Sequence, residues 1–154
     1  MKKQNVQKIK SSYTPELGKS KQQLYEYAYK RVQSSIRKGS HIEAIALLES
    51  IMSDRIESAI SSLTRKHVSA SSLGSLFNSL DKLSPAEDDL KALVWDWNES
   101  RGLVIHQMVK LTNDHNSTWA ERVKFAKITA QEGIVLLPQL RRYTDRIIRE
   151  ARKS

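Results

Sequence analysis

The chain has 154 residues, with 26 Lys and Arg against 17 Asp and Glu, a formal net charge of +9, four His and no Cys. That length suits one domain able to bury a continuous core without metals or disulfides. The lack of Cys excludes thiolate zinc sites, redox dithiols, cysteine nucleophiles and a disulfide scaffold, and five Gly with three Pro are too few for a turn-rich sandwich or barrel.

The opening MKKQNVQKIKSS is basic but has no apolar stretch behind it, so neither a signal peptide nor a membrane span is expected. Residues 1–12 read as a flexible basic N-terminus and 13–154 as a single helical domain, soluble and cytoplasmic. Charge is polarised along the chain. Residues 1–40 carry ten basic and two acidic side chains, 41–100 five and ten, and 101–154 eleven and five. Basic ends of this kind attract polyanions such as RNA, DNA or anionic lipid, or simply solvate exposed helix faces.

Thr14-Pro15-Glu16 starts a first predicted helix running to about Lys38, with Leu24, Tyr27, Ala28, Val32 and Ile36 at helical spacing and Gly39 as its C-terminal cap. Ser40-His41-Ile42-Glu43 reads as a capping box opening a second helix to about Arg65. Its stripe is Ile45, Leu48, Met52, Ile56, Ala59, Ile60 and Leu63, with Glu49, Asp54, Arg55 and Glu57 off its centre. A Ser-rich stretch follows, with a short amphipathic helix at Leu73, Leu76, Phe77 and Leu80. A second capping box, Ser84-Pro85-Ala86-Glu87, opens a long helix to Thr112 or Asn113, and the turn cluster Asn113 to Ser117 closes it. Thr118-Trp119-Ala120-Glu121 starts the last helix, which Gly133 and Pro138 are expected to bend. No strand alternation occurs. The predicted fold class is all-α, an antiparallel helical bundle of four long helices plus one short helix.

On the helix predicted from Pro85, Leu90, Leu93, Val94, Trp97, Val104, Ile105, Met108 and Leu111 fall within an arc of roughly 120°. Arg101 falls near the middle of that arc. A lone guanidinium does not sit in a core, so Arg101 must reach an acid such as Asp54 or Glu57, leave the bundle at an end, or lie in a wet cleft. Trp95, Asn98, Gly102, His106 and Val109 form a second line, roughly 60° to 140° from Arg101. Gly inside a helix often admits a second backbone, so this line suggests a central helix or a dimer contact.

Asn98-Glu99-Ser100-Arg101-Gly102-Leu103-Val104-Ile105-His106 resembles the R-x4-6-H signature of the HEPN superfamily, small helical domains of which many are metal-independent RNA endonucleases of toxin-antitoxin, CRISPR and phage-defence systems. The likeness takes in the motif, the helical order and the acidic second helix around Asp54 to Glu57. It does not take in the basic first helix, and Gly102 stands where the family commonly has a polar residue, often Asn. The resemblance implies a ribonuclease acting as a homodimer, with Arg101, His106 and Asn98 in a composite site and a cognate antitoxin or activator as a further partner. In that role His106 would transfer a proton or position the ribose, Arg101 would hold the scissile phosphate, and Asn98 would orient His106 or a substrate oxygen.

Arg141, Arg142, Arg146, Arg149 and Arg152 form the candidate RNA-binding series. No metal or cofactor is expected, because no H-E-x-x-H, no His pair at i, i+4 and no Gly-rich phosphate loop occurs. The alternative is a non-catalytic helical module that binds nucleic acid or a protein partner through its basic ends.

Overall fold

The computed structural model describes residues 15–68, 71–110 and 117–154. Among them are five helices and no strand: α1 (Pro15–Arg37), α2 (His41–Thr64), α3 (Leu73–Leu83), α4 (Asp88–Gln107) and α5 (Trp119–Ala151). The predicted N-terminal segment 1–12, the start at Thr14 and the turn residues Asn113 to Asn116 lie outside the described residues. No described helix is long and apolar enough to cross a membrane.

Helix α2 occupies the middle of the packing. It lies most extensively against α5, then against α1 and α3, while α4 packs chiefly on α5. Its predicted stripe is buried from Ile45 to Ile60, as are Ala44 and Ile51, and only Leu63 at its end is exposed. On α1 the buried side turns further round than the spacing predicts. Leu24 and Tyr27 face solvent, whereas Tyr25, Ala28, Tyr29, Val32 and Ile36 meet the core. Gly39, at φ +79°, makes the left-handed turn after α1 that an L side chain resists.

Trp97 is the largest side chain at the centre. Its indole N–H donates to the Thr129 carbonyl at 2.9 Å, satisfying the one polar atom it brings inside. Gly133 is required beside it, since a Cβ there would stand 2.8 Å from both Leu48 Cδ1 and Trp97 Nε1. Helix α5 runs on through Pro138 over 33 residues.

Two predicted capping boxes do not form: α2 still starts at His41 after Ser40, whereas the start of α4 shifts. At α2 the Ser40 side chain caps nothing, and the Glu43 carboxylate instead accepts from Arg31 Nε at 2.7 Å. At α4 the helix begins at Asp88 rather than Pro85. Ser84 has become the cap of α3, its N–H donating to the Leu80 carbonyl and its own carbonyl accepting from the Tyr143 hydroxyl. Asp81 meanwhile accepts from the Ala86 N–H at 2.8 Å. The box at Thr118 and Glu121 has no such competitor and forms in full.

Helix α4 also stops early, at Gln107 rather than Thr112 or Asn113. The cause is Arg122 of α5, whose Nη1 donates to the carbonyls of Gln107, Met108 and Lys110 at 2.9, 3.0 and 2.8 Å. A guanidinium at the negative end of a helix satisfies carbonyls that would otherwise have no partner.

Candidate functional site

The α4 residues of the R-x-H motif divide into an anchored pair and a free face. Arg101 turns inward with 15% of its side chain exposed, and its Nη1 meets Glu49 Oε2 of α2 at 2.9 Å. The acid is neither Asp54 nor Glu57 but a residue further toward the start of α2. Arg101 Nη2 donates to Asn98 Oδ1 at 3.0 Å, one turn back on α4. Two of five guanidinium N–H donors are thereby used, and the buried Nε–H has no partner among the described residues. Glu49, 26% exposed on its side chain, and Asn98 thus fix the Arg101 head at the edge of the core.

His106 is not brought to this pair. Five residues along the same helix is about 140° around its axis, and the imidazole is exposed with no hydrogen bond to a described residue. Around it lies the second face that the sequence outlines. Gly102 has nothing within 4 Å of the position a Cβ would take. Val109 is 84% exposed and Trp95 is open to solvent as well, and so are Leu93 and Ile105, which the spacing places in the core arc but which lie at its edges and are left uncovered. Only the start of this face is covered by its own chain. There the edge of Trp95 meets Phe77 of α3 with ring centroids 6.2 Å apart, and Gly74 lets α3 approach Trp95 and Asn98. The expected close backbone approach is therefore made at Gly74, not at Gly102.

The arginines of α5 also separate into two sets. Arg142, Arg146 and Arg149 follow one stripe and, with Glu87, Leu90 and Tyr143, line a groove of about 510 Å³. None of the three pairs with a carboxylate among the described residues. Arg146 instead lies over the Tyr143 ring at 5.9 Å. The Tyr143 hydroxyl, pushed up to about 12 by burial and then by Asp81, stays protonated on the Ser84 carbonyl. Arg141 points elsewhere, its Nε 3.4 Å from Asp145 Oδ2, an acid that also takes Arg55 at 3.2 Å.

A polar cleft of about 680 Å³ between α1, α2 and the end of α5 escaped the sequence reading. Asp54 there accepts from the Tyr25 hydroxyl and lies 2.9 Å from Lys21 Nζ. Lys21 also donates to the Ser58 hydroxyl at 2.8 Å, and the Arg55 guanidinium stacks 4.6 Å above the Tyr25 ring. Burial, then the Asp54 hydrogen bond, push the Tyr25 phenol far above its ordinary range. Burial and then Asp54 also raise Glu57. The signal was present in the off-centre polar residues Asp54, Arg55 and Glu57, but their partner Tyr25 sits one residue outside the stripe assigned to α1. Lys21, Tyr25, Asp54 and Ser58 satisfy one another, so this network chiefly ties α1 to α2.

Among the described residues no group of three or more His, Cys, Asp or Glu could hold a metal ion. No protein-family model, curated protein or solved structure matches the chain.

Proposed function

We propose that the chain is a HEPN-type endoribonuclease that needs no metal and acts as a homodimer, in a toxin-antitoxin or phage-defence setting in the cytoplasm. The observation that supports this most is the juxtaposition on α4 of a core-edge guanidinium, held by Glu49 and Asn98, with a face of Gly102 and His106, continued by Val109 just past its end, that no helix among the described residues covers. A second copy packed on that face would bring two His106 side chains to one axis, each with its Arg101 head at the core edge of the same helix. In such a site His106 exchanges the proton of the attacking 2′-hydroxyl or of the leaving 5′-oxygen. The Arg101 donors left free meet the charge that develops on the phosphate.

The reading includes the arrangement of the helices as an antiparallel bundle of four long and one short. It is supported where paired contacts run in opposite senses, Lys21 with Asp54 and Arg31 with Glu43 between α1 and α2, Trp97 with Thr129 and Gln107 with Arg122 between α4 and α5, while α2 and α5 run parallel, with Leu48 beside Gly133 and Arg55 on Asp145. Arg142, Arg146 and Arg149 serve as the approach for RNA phosphates, with Arg141 drawn aside by Asp145. A cognate antitoxin or activator would act by covering or aligning the α4 faces.

The test is cleavage of single-stranded RNA by purified protein in EDTA. Wild type cuts, while Arg101→Ala and His106→Ala lose the product pattern. Identical patterns from all three proteins refute the assignment. A second reading, a non-catalytic nucleic-acid-binding module, is favoured by the same arginine groove. It predicts salt-sensitive RNA binding without cleavage and no effect of His106→Ala on affinity.

A further inference from the structure

Helix α5 carries a line of side chains along its solvent side. Glu121, Phe125, Ile128, Glu132 and Val135 succeed one another at alternating steps of four and three residues. Gln139 and the groove arginines Arg142, Arg146 and Arg149 continue the alternation. All are exposed except Gln139, which is partly buried. Such steps average about 3.5 residues, the period at which two helices keep one seam in contact by wrapping round each other. On a lone straight helix the same line drifts by about 20° per seven residues, so the spacing suits a helical partner better than a flat surface.

The chemistry of the line is split between its ends. The first half is apolar and acidic. Val135 is 64% exposed, Ile128 is open to solvent, and Phe125 walls an apolar groove of about 340 Å³ with Leu103, Val104 and Met108. Glu132 has no ion pair among the described residues, and Glu121 accepts from the Thr118 N–H of the capping box. The second half is cationic, and Asp145, which shares its groove, is engaged by Arg55 and Arg141. A second copy laid parallel on this line sets acid against acid and arginine against arginine. Turned antiparallel about a two-fold axis at Val135, it sets each half against its complement. Val135 meets its own counterpart and Glu132 meets Gln139. Ile128 lies under the aliphatic stem of Arg142, Phe125 takes the Arg146 guanidinium on its ring, and Glu121 pairs with Arg149. Beside the line, Lys124 comes opposite Asp145.

We infer that the outer face of α5 is a self-association surface on which a second copy of the chain docks antiparallel, the arginines of each lying on the acidic and apolar half of the other. From Glu121 to Arg149 the contact runs about 42 Å, and at a width of about 10 Å it covers about 400 Å² on each copy. The total of about 800 Å² falls below the size of stable complexes, so the pair is transient. Pairing covers Arg142, Arg146 and Arg149, so a bound polyanion and a second copy exclude each other there. The inference does not rest on the ribonuclease reading, whose own dimer contact lies on α4.

The chain has no Cys, so a single introduced thiol reports the contact. Under mild oxidation the full chain carrying Val135→Cys gives a disulfide-linked dimer, because the two-fold axis brings that position against itself. The yield falls as salt rises, and falls at least about tenfold when Arg142, Arg146 and Arg149 are all replaced by Glu. Glu121→Lys with Glu132→Lys, in the same Val135→Cys background, also loses the crosslink. Mixing the two charge-reversed proteins restores it, since each then offers the other the opposite charge. Circular dichroism verifies that each variant is folded. A separate His106→Cys variant reports pairing on the α4 face, so failure of one contact is read apart from failure of the other. A Val135→Cys yield that charge reversal leaves unchanged, or a mixture that crosslinks no better than its components, overturns the proposal. So does a negligible yield from Val135→Cys alone, which leaves the face to RNA, another protein or solvent.

Discussion

Arg101 can be a structural cation or a catalytic one, and a double-mutant cycle with Glu49 separates the two. At about 4 Å between charges, an effective dielectric near 20 gives a gross attraction of about 4 kcal/mol, which desolvation partly offsets. The side chains keep 15% and 26% exposure, so water reaches both. Glu49→Met should therefore cost about 2–3 kcal/mol, below the roughly 3–5 kcal/mol for breaking a fully buried pair. For a chain of this size that is roughly 4–12 °C in Tm. Arg101→Met leaves Glu49 unpaired and should cost about the same, whereas the double variant Glu49→Met with Arg101→Met removes both charges and should return to within about 1 kcal/mol of wild type, giving a coupling of about 3–5 kcal/mol. Urea unfolding of the four proteins measures it, and a coupling below about 0.5 kcal/mol would refute the claim that Glu49 holds the guanidinium. RNA cleavage by the re-stabilised double variant then decides the role. Restored cutting makes Arg101 structural, and a folded but inactive double variant supports its catalytic assignment.

Four further outcomes follow from the packing and the charges. Gly133→Ala forces a methyl to 2.8 Å from Leu48 and from the Trp97 indole, so despite the better helix propensity of Ala it should cost roughly 1–2 kcal/mol by thermal unfolding; no loss would mean the core has room. Arg122→Gln frees the carbonyls of Gln107 and Met108 and should cost about 1–3 kcal/mol, with hydrogen exchange rising first at the His106 turn; uniform exchange would show that Arg122 is not the stop for α4. Replacing Arg142, Arg146 and Arg149 together by Gln should lower the salt slope of single-stranded RNA binding by about 2, while Arg141→Gln changes it little, and equal effects would refute the division of the arginines. His41 has a lowered folded pKa, so the unfolded chain binds its proton more readily and stability should fall as pH drops through and below about 6.5, with no contribution from this group above neutrality. Urea unfolding against pH should show this slope in wild type and lose it in His41→Gln; a slope shared by both would assign it to other groups.

The helices were legible in the sequence because period and caps are local signals, and the full box at Thr118 and Glu121 shows one operating alone. Where local and tertiary demands competed for one group, the tertiary partner won. Glu43 could cap α2 or meet Arg31, and a charged donor at 2.7 Å outbids a neutral backbone N–H. Ser84 and Ala86 were read as the start of α4, but Leu80, Tyr143 and Asp81 use their backbone groups to finish α3. Arg101 was visible as a charge in an apolar arc. Its partner was not, because the register between α2 and α4 depends on packing around Trp97 that no single helix encodes. The buried His41 was invisible for a related reason: as the second residue of an expected capping box it belonged at the surface.

The charge pattern along the chain acquires a physical meaning once α2 sits among the other helices. Acids of the negative middle segment take cations from both basic ends: Glu43 takes Arg31, Asp54 takes Lys21, and Glu49 takes Arg101. The first two pairs are largely exposed and contribute little stability, so their main effect is to cancel charge on the α1 and α2 surface. Among the described residues Arg142, Arg146 and Arg149 follow one stripe of α5 with no carboxylate paired to any of them. That stripe faces the groove beside Glu87, at the opposite end of α4 from His106, because Ser84 meets Tyr143 while Gln107 meets Arg122. An RNA strand reaching from the arginines to His106 must therefore run the length of α4, about 30 Å for its 20 residues, or cross to the motif of a second copy. A minimal substrate length set by that span, rather than by a single phosphate, is what the cleavage reading requires.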